Sequence, residues 1–351
     1  MKGVKIMTFK RIAGNTWKTL IWPVAIFILF FVLCKIFSPQ AAFGTSRSLE
    51  SILKQAILSS CIAMAMACNM LNDRWDFSMG IICVCTSFIA SPIAKALCAG
   101  MISEDRKTTA PSWILLVLCI LICMILCLIN AFLYLIIKVP TLVISIGLML
   151  VYETLVRIVN GGAGAQLSGL NYTLFGRTPW IYIIAVITIL IFMFLYTFTK
   201  FGYNVRSLGN SQQIANNIGV NETKNVILSY LLCGFILGIA AAVNVGLSGK
   251  IEASSTFNNN TGMMFQAFPA VFIGLYLSRY TNFSIGIFIG AFCIKMMTAG
   301  VVALGLPSAV QDIGVGAFLF FFIALTTNQG RFLDWSARKS AMKMARAGGT
   351  E

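Results

Sequence analysis

Residues 200–224 read KFGYNVRSLGNSQQIANNIGVNETK, the longest strongly polar segment between hydrophobic blocks in this chain. It is basic at both ends and helix-sized at its centre. Asn210 or Ser211 is suited to cap a helix, because a short side-chain oxygen accepts from the exposed amides of the first turn. Gly219 suits the left-handed residue that closes one. Between them, residues 212–218 make about two turns, with Ile214, Ala215 and Ile218 expected on one apolar stripe. Asn221 can cap the next helix, with Glu222 in its first turn, where the helix dipole favours an acid. The spacing therefore predicts a short amphipathic helix lying across one membrane face. Its stripe either docks in a groove or rests on the membrane surface.

The surrounding chain is oily. Of its 351 residues 58% are hydrophobic and 11% charged, against about 25% charged in soluble domains. The apolar material falls into ten blocks, at residues 21–37, 52–71, 77–97, 112–137, 141–159, 180–198, 225–247, 263–277, 283–302 and 308–325. Most are long enough to cross a hydrocarbon core of about 30 Å. The fold class that follows is all-α: a polytopic membrane protein with about ten transmembrane helices. A β-barrel would instead alternate in weak ten-residue segments.

Charge orients the bundle. The net charge is +15, and basic residues collect at the two ends: Lys2, Lys5, Lys10, Arg11 and Lys18, then Arg331, Arg338, Lys339, Lys343 and Arg346. An even number of spans puts both termini on one side, and the excess of Lys and Arg makes that side cytoplasmic. Arg74, Lys138, Lys200, Arg206, Lys224 and Arg279 then also fall inside, giving sixteen of the 26 Lys and Arg. This pattern fits retention by anionic lipid headgroups rather than nucleic-acid binding. No small-residue cleavage site follows the first block, so the first helix is expected to serve as its own insertion signal. The expected organisation is a cytoplasmic tail over residues 1–20, a membrane domain over 21–327 with its cytoplasmic loop at 200–224, and a second tail over 328–351. Three segments assigned outside, near residues 38–51, 160–179 and 248–261, are rich in Gly, Ser, Thr and Asn. Trp22, Trp113 and Trp180 each open a span, where an indole prefers the interface.

Eleven cysteines lie almost entirely inside apolar blocks, and there is no histidine. Cys119, Cys123 and Cys127 share one helix face, while Cys83 and Cys85 point apart. They read as small hydrophobes at helix contacts rather than metal ligands or disulfides. Glu153 and Arg157, at i and i+4, can pair along one face. Ionisable groups at this depth usually face a bundle interior or an aqueous path. Lys295, alone in the ninth block, can pair with Asp312 at the start of the tenth, a pairing the sequence leaves open. Asn69, Asn244 and Gln266 can hydrogen-bond the hydroxyls of a solute or bridge two helices. Asp76 either caps the third span or lines the path. Gly234 with Gly238, and Gly286 with Gly290, permit close helix crossings.

The loop also carries a resemblance. Gly202, Leu208-Gly209-Asn210, Ala215, Gly219-Val220-Asn221 and Lys224 stand where a T-x-x-G-[RY]-x-x-x-A-x-G-x-N-x-x-A-A-x-x-x-G-I-N-V-x-x-x-K pattern needs them. That pattern belongs to permease subunits of ATP-binding-cassette importers of the ribose (monosaccharide) type, in the branched-chain amino acid/sugar permease superfamily. The likeness extends outward. Trp75-Asp76-Phe77-Ser78-Met79-Gly80 resembles the family's G-I-D-L-S-V-G, and Val139-Pro140-Thr141-Leu142 with Asn160-Gly161-Gly162 resembles its fifth-span region. Cys233-Gly234 with Gly238 and Ala240 resembles the small-residue start of its seventh span. Two departures stand out: Trp75 replaces a glycine, and Arg279, Tyr280 and Phe283 replace small residues in a glycine-rich segment, of which Gly274 and Gly286 remain.

The resemblance implies a permease of the bacterial cytoplasmic membrane that carries a monosaccharide or related small polar solute and is not itself an enzyme. It implies partner ATPase subunits holding ATP and Mg, a second permease subunit in a homodimer or heterodimer, and an extracytoplasmic solute-binding protein. The chain contains no GxxxxGK[ST], so no P-loop of its own is expected, and no cofactor. Leu208, Gly209, Asn210, Gln212, Ile214, Ala215, Ile218 and Gly219 become the expected ATPase-coupling residues. Asn69, Asp76, Glu153, Arg157, Asn244 and Gln266 become candidates for the translocation path. A nucleoside, an autoinducer or a branched-chain amino acid is the alternative cargo. An ion-coupled secondary transporter is the alternative class, and it would need intramembrane carboxylates beside broken helices.

Overall fold

The computed structural model describes residues 9–38, 40, 42–99, 109–158, 167, 172–249 and 262–328. All regular structure among them is helical. In chain order the helices are α1 (Phe9–Phe37), α2 (Ser46–Met70), α3 (Met79–Leu97), α4 (Ala110–Ile137), α5 (Thr141–Ile158), α6 (Trp180–Phe198), α7 (Lys200–Asn210), α8 (Gln212–Asn217), α9 (Glu222–Ser248), α10 (Gly262–Leu277), α11 (Phe283–Ala303) and α12 (Ser308–Thr327). Eight are long and apolar enough to span: α1 from Thr19, then α2, α3, α4, α5, α6, α9 and α11. The two shorter apolar helices are α10 and α12. Together these ten match the ten hydrophobic blocks of the sequence. The polar stretch supplies the remaining two, α7 and α8. Asn160-Gly161-Gly162 and the basic residues beyond Asn328 lie outside the described residues.

The core is α2 and α9, flanked by α3, α4, α10 and α11. In α4 the division between core and lipid is a stripe on each side. Leu115, Cys119, Cys123, Cys127 and Ala131 are fully buried, while Val117, Leu121, Ile125, Ile129, Phe132 and Ile136 are exposed along the opposite side. The buried stripe meets the small residues of α9. A Cβ on Gly234 would come within 2.7 Å of Met124 Cα, and one on Gly238 within 2.5 Å of Ile120 Cα. These distances leave no room for any side chain, so the two backbones pack in direct contact. The α10–α11 crossing uses the same device. A Cβ on Gly286 would sit 3.0 Å from Gly274 O, and one on Gly290 2.8 Å from Ala270 O. The two glycines retained from the expected glycine-rich segment are thus the ones at the crossing. All eleven cysteines are free and buried, as expected for space-filling residues.

The connections sort onto two faces. On one, Gly209 of α7 abuts Leu71 O, Arg74 reaches Glu222 at the start of α9, and Asn282 before α11 donates to Thr197 near the end of α6 (3.3 Å). Trp22 packs edge-on against Tyr276 and Phe322, so the early part of α1 and the late part of α12 lie at this same end. This is the parity that ten spans require. On the opposite face Trp113 meets Phe175 and Trp180 edge-on, and the Leu167 amide donates to Gly249 O (3.0 Å).

Gly238→Val should be among the most damaging single substitutions, because the branched side chain meets backbone that cannot yield. A cost of at least about 2 kcal/mol is expected. Thermal unfolding in detergent, followed by a maleimide dye that reacts as the buried cysteines emerge, measures it.

Candidate functional site

Two sites share one membrane face: a surface rod and a buried polar cleft. The rod is α8. Ser211 caps it by accepting from the Ile214 amide (3.4 Å). Gly219 leaves it at φ +87°, a conformation an L side chain resists. Asn221 then caps α9 by accepting from the Lys224 amide (3.0 Å), and Glu222 sits in its first turn. The capping pattern read from the sequence is therefore present in full.

The expected stripe is split. Ala215 is fully buried, whereas Ile214 and Ile218 are 64% and 68% exposed. At i and i+4 the two isoleucines form an outward apolar pair, while Ala215 faces the protein. The preceding segment is helical too, which the sequence reading missed: α7 seats the rod. Phe201, Val205 and Leu208 are buried on its inner side. A Cβ on Gly209 would meet Leu71 O well inside van der Waals contact, so Leu208 and Gly209 anchor the segment to the turn between α2 and α3. Asn210 is exposed and Gln212 half-buried.

That turn, residues 71–78, also builds the cleft. Asp73 takes a left-handed φ of 58°, a region in which Asp is enriched. Asn72 Nδ2 donates to Ser229 Oγ (2.9 Å), and Asn225 Nδ2 donates to Asn72 Oδ1 (3.3 Å). Asp76 orders the turn that leads into α3, accepting from both the amide and the hydroxyl of Ser78 at Oδ1 (2.9 and 2.6 Å). Asn130 Nδ2 of α4 donates to Asp76 Oδ2 (3.2 Å) and to Ser78 Oγ (2.7 Å). Tyr152 OH of α5 donates to Asn130 Oδ1 (3.1 Å), and the Tyr230 hydroxyl of α9 bonds Asp76.

Asp76, Asn130, Tyr134, Thr141, Ser145 and Tyr230 line a narrow cleft that is closed to water in this conformation. Its lining carries a carboxylate, an amide and four hydroxyls, the groups that recognise a polyhydroxylated molecule. Asn130, Tyr134, Ser145 and Tyr230 were not picked from the sequence. Asn130 at least had a signal, as an amide within an otherwise apolar 28-residue helix.

The other path candidates are dispersed. Glu153 and Arg157 form the expected ion pair (3.6 Å), with Glu153 buried. They sit on α5 about 12 and about 18 Å beyond Ser145, at 1.5 Å per residue. Lys295 Nζ donates to Gln266 Oε1 (2.6 Å), so its bonded partner is Gln266 rather than Asp312, which is exposed. Asn69 and Asn244 are both buried. Trp75, in place of the family's glycine, packs on Phe268 and Phe272, and Phe77 stacks on Phe265.

Residues 48–323 match the family model described as branched-chain amino acid transport system, permease component. The chain belongs to this family. Its relatives in the family include the galactose/methyl galactoside import permease protein MglC of Escherichia coli K12, 23% identical over 85% of this chain and 91% of that protein. The ribose import permease protein RbsC of the same organism is 23% identical over 92% of this chain and 99% of its own length. The autoinducer 2 import system permease protein LsrC of Photorhabdus luminescens is 23% identical over 88% of each. The chain is accordingly a multi-pass permease of the bacterial inner membrane, related along nearly its whole length to sugar importer permeases. Both the turn with Asp76 and the α7–α8 segment lie inside the matched span.

Replacing Asn130 with Ala in this permease removes two donors from the Asp76–Ser78 pair and the acceptor of Tyr152. With its burial unchanged, the cluster should lose about 1–3 kcal/mol. The same dye-based unfolding assay should register a lower midpoint, with Tyr152→Phe smaller and in the same direction.

Proposed function

We propose that this permease forms the translocation path of an ATP-binding-cassette importer for a monosaccharide or a related small polar solute. ATP and Mg are held by partner ATPase subunits, and a solute-binding protein delivers the cargo on the extracytoplasmic side. A second permease subunit, a copy or a homologue, completes the path. The departures at Trp75 and at Arg279, Tyr280 and Phe283 favour a homologue.

One observation carries the reading: a short capped rod at a membrane face presents two bare isoleucines to whatever lies beneath. The bias of basic residues makes that face cytoplasmic. A pair of large apolar side chains standing free on a capped helix fits helix-in-groove docking. Leu208, Gly209 and Ala215 support the rod from behind, and Asn210, Gln212 and Gly219 frame it. Asp76 and its cleft are the best-supported part of the path, having the polar lining that hydroxyls require. Asn69, Asn244, Gln266 and the Glu153–Arg157 pair extend the candidates along the membrane normal.

The autoinducer 2 relative supports a second cargo reading, because it matches this chain at the same identity as the sugar permeases. An ion-coupled transporter is less favoured. The two carboxylates it would use, Asp76 and Glu153, are engaged by Ser78 and Asn130 and by Arg157.

Two measurements test the proposal. Purification in mild detergent with mass spectrometry of bound chains should recover an ATPase and show whether the second permease is identical. The double variant Ile214→Asp/Ile218→Asp should insert normally yet lose the ATPase. Deleting an apolar anchor of this kind costs about 2 kcal/mol, or roughly thirtyfold in affinity. Retention of the ATPase at wild-type stoichiometry would overturn the docking assignment. Gly209 variants make a poorer test, since any side chain there collides with Leu71 before coupling is affected.

A further inference from the structure

Between the rod and the cleft lies a continuous chain of contacts built on one ion pair. Arg74 is 1% exposed, an unusual position for a guanidinium in a membrane protein. Its Nη2 donates to Glu222 Oε1 at 2.8 Å, and its guanidinium lies 5.1 Å from the ring centroid of Tyr134, which lines the cleft. The other Glu222 oxygen accepts from Asn216 Nδ2 of α8 (3.4 Å). Glu222 therefore holds the rod with one oxygen and Arg74 with the other. Arg74 lies two residues from Asp76, on the turn whose Asn72 is bonded to Asn225 and Ser229 of α9.

We propose that the Arg74–Glu222 pair is a strut that transmits displacement of α8 to the Asp76 cleft, and that Arg74 is a positioning residue for the solute path. The proposal deepens the importer reading and rests on it. The physical case is stiffness. A surface ion pair gives way easily because water replaces either partner. Here the guanidinium is removed from water, and its Nε and Nη1 have no hydrogen-bond partner among the described residues. Separating it from Glu222 would leave a buried charge unpaired, which is strongly unfavourable. The turn must then follow Glu222 when the rod moves.

A second link keeps the movement directional. Gly209 abuts Leu71 O, so α7 pushes on the start of the turn while Glu222 pulls on its middle. Asp76 and Ser78, at the far end of the turn, are bonded to Asn130 of α4. Movement of the turn therefore changes the distance between Asp76 and the Thr141 and Ser145 hydroxyls of α5. An ordinary structural pair would hold the turn equally well but would carry no response to the nucleotide state of a partner.

The test uses the assembled complex, with Ser145→Cys as a reporter in the cleft and N-ethylmaleimide as the probe. The native thiols are buried and give little background. In the complex carrying only this reporter substitution, trapping with ATP and orthovanadate should change the labelling rate of the introduced thiol by at least about fivefold, the lower end of coupling between sites. Glu222→Ala should keep the ATPase bound and abolish that change, and the exchange Arg74→Glu/Glu222→Arg should restore part of it. An unchanged response in Glu222→Ala would overturn the strut. Arg74→Lys serves as the second variant: a point charge without the fork should weaken the response, and a full response would count equally against it. If the reporter complex itself shows no response, or no ATPase is bound, the importer reading fails instead, and the two failures are distinct.

Discussion

A bilayer offers no water to a stranded polar group, so every departure from helix within the buried bundle must be satisfied by protein. The turn at residues 71–78 is where this constraint bears hardest. It carries Asn72, Asp73, Arg74 and Asp76 in close succession, and all but Asp73 are buried. Each of those three is met by a residue of α4 or α9: Ser229 and Asn225 for Asn72, Glu222 for Arg74, and Asn130 for Asp76. Helices α4 and α9 supply those residues at the right height only because they are in backbone contact at Gly234 and Gly238. The small-residue crossing, the satisfied turn and the polar cleft are thus one arrangement. Widening the crossing by a single methyl group would disturb the cleft without touching it.

Much of this was legible from the chain. Ten apolar blocks became ten apolar helices, because length and hydropathy are set by the bilayer and not by the details of packing. The caps at Ser211 and Asn221, the closing Gly219 and the pairing of Glu153 with Arg157 were equally readable, since each depends on residues within four positions of one another. Local geometry fixes them. The assignment of Gly234, Gly238, Gly286 and Gly290 to crossings followed from their spacing alone, although which helices they joined did not.

What escaped the sequence is what depends on long-range contact. The stripe 214–215–218 was sorted by helical spacing, but a two-turn helix has no face of its own until something packs against it. Packing against α7 buries one side of the rod, with Ala215 covered and the isoleucines left bare. Helix α7 itself was hidden because its glycines and polar residues read as loop. Gly202 and Gly209 are there for close approach, to Tyr196 O and Leu71 O respectively, and the contact of Gly209 with the far-off Leu71 backbone leaves no local signature. Lys295 chose Gln266 over Asp312 for a similar reason: α10 and α11 cross tightly at their glycines, which brings Gln266 within 2.6 Å of the amine.

The departures from the family pattern take on meaning in the same terms. A glycine in place of Trp75 would leave the turn without its contact to α10, where the indole ring now lies 5.8 Å from Phe268 and 6.3 Å from Phe272. Phe77, two residues on, adds Phe265 to the same aromatic stack. The turn is therefore bonded by polar groups to α4 and α9 on one side and packed by aromatic rings against α10 on the other. The rings hold the turn by packing in preferred offset and tilted geometries, whereas the hydrogen bonds to Asn130 and Ser229 hold its direction. Its two flanks are therefore fixed by different means, directional bonds on one and ring packing on the other.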